Sequence, residues 1–198
     1  MNFLAHIYLS GGDEDIMVGN FIADWVKGAE YLDFPERIQQ GIMIHRNIDW
    51  FTDSHPITKQ CKILFNEKYR HYAGVVTDII FDHYLARDWH WFNSTPLNEY
   101  TEWVYEILLN NFDILPKGVQ KYLPGFFANR WIEEYVTIKG IEKVLNGMSR
   151  TTSLPPETEW AIHIFQTNYN LISDYFIDFF PQITEFVQTK FQISIVKE

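Results

Sequence analysis

Along most of the chain, apolar side chains recur at i, i+3, i+4 and i+7, the period of one helix face. Strict apolar–polar alternation bounded by turn residues is rare, so the pattern predicts an all-α protein. Helix breakers punctuate it at Gly11-Gly12, Asp33-Phe34-Pro35, Asp53-Ser54-His55-Pro56, Gly74, Ser94-Thr95-Pro96, Pro116, Pro124-Gly125, Gly147 and Leu154-Pro155-Pro156. The segments between them predict helices over about 13–28, 36–52, 56–72, 75–92, 97–112, 118–123, 127–135, 138–146 and 156–190, the last interrupted at Pro181. Residues 149–156 form the longest expected loop, and neither a repeat nor a low-complexity linker divides the chain. Residues 1–198 are therefore expected to fold as a single-domain helical bundle.

Composition narrows the function classes. With 198 residues, 46% of them apolar and 17% aromatic, the chain can close a sizeable core. A net charge of −10 argues against a general electrostatic grip on nucleic acid or an anionic membrane. Cys61 is the sole cysteine, which fits a reducing compartment and leaves any metal to His, Asp and Glu. The first basic residue is Lys27, so the apolar stretch 1–9 lacks the positive flank of a signal peptide. No apolar run approaches the roughly 18–20 residues of a spanning helix, and the expected location is cytoplasmic.

Three groups of polar residues sit where apolar ones are expected. Asn20 and Asp24 lie one helical turn apart inside Val18–Val26, and both are expected to be at least half buried. A carboxylate there costs several kcal/mol, roughly, unless a cation, a metal or strong donors meet it. His45, Asp49 and Asp53 fall at about 0°, 40° and 80° on one helix face, a polar stripe among Ile, Met, Trp and Phe. Asp78 and Asp82 share another face, with His83 about 100° round from Asp82. Like charges one turn apart destabilise a helix unless a cation neutralises them, so a carboxylate–histidine metal site is the economical reading. Oxygen ligands with imidazole favour Mn²⁺ or Mg²⁺ over a soft metal. His6 by itself reads as a core histidine, since periodicity gives no reason to prefer chemistry there.

Taken together, Asn2-Phe3-Leu4-Ala5-His6, Gly19-Asn20 with Asp24, His45-Arg46 with Asp49, Thr52 and Asp53, and Asp78 with Asp82-His83 resemble the acyl carrier protein phosphodiesterase family. The later segment Leu145-Asn146-Gly147-Met148-Ser149-Arg150 is similar to that family as well. The resemblance implies an all-helical bundle of divergent HD-domain type, with the acid–histidine pair reversed here as Asp82-His83. It implies hydrolysis of the 4′-phosphopantetheine arm from holo acyl carrier protein, with Mn²⁺ as activator and Mg²⁺ or another divalent ion as alternatives. Asp24, His45, Asp49, Asp78, Asp82 and His83 form the pool of ligands and supporting carboxylates. Asn20, Arg46 and Arg150 become substrate-binding candidates, and His6 a candidate to protonate the leaving oxygen or hold a water. His6, Asp24 and His45 are thereby the expected catalytic residues.

Acyl carrier proteins are acidic, so attraction to a chain of net charge −10 must be local. Between positions 59 and 70, Lys59, Lys62, Lys68 and Arg70 face Glu67 alone, a basic stretch suited to receive the carrier. Two alternatives stand beside this reading: an HD-type phosphohydrolase acting on a nucleotide or other small phosphoester, and a non-catalytic helical module that binds carrier protein.

Overall fold

A computed structural model describes residues 1–195. The chain is helical from its first residues, and no strand occurs among those described. The helices are α1 (Phe3–Tyr8), α2 (Glu14–Ile22), α3 (Glu36–Ser54), α4 (Pro56–Tyr69), α5 (Ala73–Arg87) and α6 (Leu97–Asn110), followed by α7 (Lys117–Ala128), α8 (Trp131–Glu134), α9 (Ile138–Thr151), α10 (Thr158–Thr167) and α11 (Tyr169–Phe191). Short 3₁₀ turns at Ala23–Trp25 and Arg70–Tyr72 finish α2 and α4.

The pair α2 and α3 makes the closest helix–helix approach that bears on the site, because glycine occupies the crossing on both helices. A β-carbon at Gly19 would stand 2.1 Å from the Ile38 carbonyl oxygen, and one at Gly41 2.1 Å from that of Ile16. Backbone thus meets backbone, which draws the polar residues of the two helices together. The six-residue α1 packs against α2 and α5. Its Phe3 ring lies 5.3 Å from Phe21 and 5.2 Å from Phe126, tying α1 to α2 and α7. One apolar core runs from Met1 to Ile195.

The differences from the expected elements have local causes. Helix α1 was not foreseen; too short to show a period, it is held by tertiary contacts. Gly147 does not end α9, which continues to Thr151, because Trp131 packs where a side chain would stand, 2.8 Å from a β-carbon built there. Helix α7 continues through Pro124 to Ala128, and α8 is shorter than the expected 127–135. The long C-terminal segment breaks at Asn168, not at Pro181. Asn168 Nδ2 donates to the Ile164 carbonyl at 2.9 Å, competing with the helix, whereas Pro181 lies on an exposed face where Ile177, four residues back, is 57% exposed and its freed carbonyl is left to water.

Candidate functional site

Two imidazoles from different helices stack at the centre of the site: His6 on α1 and His45 on α3, ring centroids 4.0 Å apart and 17° from parallel. Both are buried. Asn20 of α2 reaches between them and is itself fully buried. Its Nδ2 donates to the His6 carbonyl at 2.7 Å and to Ser10 Oγ at 3.1 Å, which fixes the amide so that Oδ1 faces the rings. His6 Nδ1 donates to that Oδ1 at 2.9 Å, and His45 Nδ1 donates to the Asn20 carbonyl at 2.8 Å. Both Nε2 atoms are then aimed the same way, toward Asp49. His6 Nε2 lies 3.2 Å from Asp49 Oδ1 and 3.1 Å from the Met1 carbonyl oxygen. His45 Nε2 lies 3.1 Å from Asp49 Oδ2 and 3.3 Å from Asp24 Oδ1.

Every ring nitrogen of the two imidazoles therefore faces an oxygen. A proton on each would make two imidazolium rings in van der Waals contact, which charge repulsion opposes. The pair resolves this unequally. Burial, with His45 opposite, pushes His6 down to about 4. Burial works against protonation of His45 too, but hydrogen bonds to Asp24 and Asp49 outweigh it and raise that residue to about 9. Asp49 is held below the usual carboxylate range: its desolvation is outweighed by the hydrogen bonds with His45 and His6. Neutral His6 has one proton for two oxygen-facing nitrogens, and a cation at Nε2 satisfies the other. The ligand atoms of His6, His45 and Asp49 all lie within 4.8 Å of one another, so the donor set fits a divalent ion.

These residues line a cavity of about 570 Å³ that also touches Asp24, Thr52, Asp53, Lys62, His71, Asp78 and Met148. Asp24 is exposed, contrary to the expected burial, because α2 tightens into the 3₁₀ turn at Ala23–Trp25 and leaves it at the lip, 70% accessible. Asp53 pairs with Lys62 Nζ at 2.5 Å instead of joining the stripe at Asp49. Asp78 stands in the wall 3.1 Å from the Met1 amino nitrogen, and burial raises its carboxyl.

Other candidates stand elsewhere. Asp82, fully buried, turns to α1: its carboxylate accepts the backbone N–H of Asn2 at 3.1 Å, Leu4 at 2.8 Å and Ala5 at 3.4 Å. It therefore anchors the helix that carries His6, and burial pushes it up to about 7. His83 does not line this cavity, because the 100° step from Asp82 sends it to the other side of α5. There Nδ1 donates to the Tyr135 carbonyl at 2.8 Å and Nε2 accepts from Tyr169 Oη at 2.9 Å. Arg46 also turns away, donating to the Val26 carbonyl at 3.0 Å and lying over the Tyr31 ring. Arg150 lines a neighbouring cavity, not this one. Asn20, fully buried, lines the cavity and bonds to both histidines. Thr52, His71 and Met148 were missed as lining residues.

On α4, Lys59 and Lys68 are exposed and Lys62 borders the cavity; Arg70, also exposed, begins the 3₁₀ turn that follows, and Lys68 stands 3.9 Å from Glu157. No helix among the described residues is long and apolar enough to cross a membrane.

This all-helical bundle converges two imidazoles and a carboxylate on one cavity, a donor set of the class that can hold a metal ion. Residues 1–183 match the sequence model of the acyl carrier protein phosphodiesterase family, and the chain belongs to that family. It is similar to proteins named acyl carrier protein phosphodiesterase from Yersinia pestis (30% identical, covering 96% of this chain and 99% of the relative) and Enterobacter sp. strain 638 (31%, covering 92% and 95%). A third, from Serratia proteamaculans, is 29% identical with coverage of 96% and 99%. No solved structure matches.

Proposed function

We propose that this protein hydrolyses the phosphodiester joining 4′-phosphopantetheine to a serine of holo acyl carrier protein, with a divalent cation held by His6, His45 and Asp49. The observation that carries the cation is the proton shortage of the stacked imidazoles, which leaves one Nε2 lone pair facing carboxylate and carbonyl oxygens. Mn²⁺ is the first choice for this mixed imidazole–carboxylate set, with Mg²⁺ the alternative. When bound, the cation acts as a Lewis acid that lowers the pKa of water and neutralises phosphoryl charge. Substrate choice follows from the family membership.

The chain's own groups supply the rest. Asn20 fixes the proton of each imidazole on Nδ1 and so aims both Nε2 atoms. Lys62, which lines the cavity beside Asp53, offers positive charge to the phosphoryl oxygens. Water adds to phosphorus as the serine oxygen leaves, and the Asp78 carboxylate in the cavity wall takes the proton that the water releases and passes it to that oxygen. Asp24 at the lip holds His45 in place. Lys59, on α4 with Lys62, offers an exposed positive charge to the acidic carrier surface.

The test incubates the protein with holo acyl carrier protein, with Mn²⁺ or with chelator, and follows the carrier's mass. Loss of the phosphopantetheine mass only with Mn²⁺ is the expected result. An unchanged carrier under both conditions, with folded protein, overturns the assignment.

A further inference from the structure

Beside the imidazole cavity lies a second one of about 330 Å³, walled by Phe3, Tyr122, Phe126, Trp131, Val144 and Met148. Its lining is mostly apolar and includes one charged side chain, Arg150, which is exposed. Asn2, Phe3 and Met148 line both cavities, so the two spaces adjoin at those residues. Building upon the proposed phosphodiesterase reading, we propose that this cavity receives the thiol-bearing end of the phosphopantetheine arm together with a short acyl group carried on it.

Three observations select that occupant. A phosphodiester placed at His6, His45 and Asp49 has two substituents, and the arm must leave on the side away from the carrier's serine; the cavity that adjoins through Phe3 and Met148 is the neighbouring space open to it. The far end of the arm is uncharged, as a thiol or a thioester, which suits an aromatic and aliphatic lining with no carboxylate. The volume is at the lower end of the roughly 300–1,000 Å³ of pockets that take small ligands, room for a short acyl group and not a long one. Val144, 4% exposed on α9, lines the cavity with a side chain that can be enlarged or trimmed.

The experiment measures kcat/KM by mass spectrometry for holo carrier and for carriers bearing acyl groups of increasing length, with wild-type, Val144→Phe and Val144→Ala proteins, and the inhibition constant of apo carrier for each. Wild type is expected to gain roughly fourfold per added methylene until the cavity fills, then to fall. Val144→Phe is expected to lose about tenfold more on the hexanoyl carrier than on holo carrier, and Val144→Ala to move the optimum to a longer chain with unchanged apo-carrier inhibition. Should Val144→Phe fail to fold, the Val144→Ala shift decides alone. Rates indifferent to chain length in all three proteins overturn the inference while the phosphodiesterase reading stands. Equal weakening of apo-carrier inhibition would assign the cavity to a carrier side chain and overturn it as well. Absence of phosphopantetheine release from every carrier overturns the underlying reading instead.

Discussion

Replacing Asn20 by leucine tests the idea that its side-chain amide sets the tautomer of His6. The substitution roughly keeps the volume and removes the Oδ1 that accepts from His6 Nδ1 at 2.9 Å. The two histidines respond differently. His45 Nδ1 keeps the backbone carbonyl of residue 20 at 2.8 Å, and Ser10 Oγ still donates to the His6 carbonyl at 2.9 Å. His6 Nδ1 is left as the one buried donor without a partner, a loss of about 1–3 kcal/mol. For a domain of this size that lowers Tm by roughly 2–12 °C. Without its Nδ1 anchor, His6 can place its proton on Nε2 toward the Met1 carbonyl and Asp49, blocking the ligand atom. Removal of such a supporting partner typically weakens metal binding about 10–100-fold. Calorimetric titration with Mn²⁺ reads that figure, and circular dichroism confirms the helices are retained. A Mn²⁺ dissociation constant within twofold of wild type, in a folded variant, refutes the assignment of tautomer control to Asn20.

Gly19→Ala forces a β-carbon to within 2.1 Å of the Ile38 carbonyl oxygen, so α2 and α3 must separate; a loss of about 1–3 kcal/mol in urea unfolding is expected, whereas Gly125→Ala, facing open space, should be neutral or stabilising by up to about 1 kcal/mol. His45 is protonated up to about pH 9 in the metal-free protein and must release that proton to ligate. Metal affinity should therefore rise with pH, about tenfold per unit below pH 9, with one proton released per ion in titrations across buffers; affinity independent of pH would contradict the ligand role. His83→Ala removes a histidine bonded to Tyr135 and Tyr169 and outside the imidazole cavity, so thermal stability should fall while Mn²⁺ affinity stays within about twofold; a large loss of affinity with stability intact would place His83 at the metal.

Much of this protein was legible one helix at a time. The 3.6-residue period yields the all-α class, and the four-residue step from His45 to Asp49 puts imidazole and carboxylate on one face whatever that face meets, since helix geometry alone requires it. What periodicity could not supply is which faces converge. His6 enters the site because α1, too short to mark itself by a pattern, is clamped at its N-terminal amides by Asp82 from α5, far away in sequence. Asn20 becomes the bridge between two histidines because Gly19 and Gly41 let α2 and α3 touch backbone to backbone. Asp82 and His83, adjacent in sequence, part company because a single helical step turns their side chains by about 100°, one toward α1 and the other toward Tyr169. Local spacing thus determined which side chains share a helix face, while the interhelical distances, set by glycines and by buried capping of a helix end, decided which atoms meet at one point.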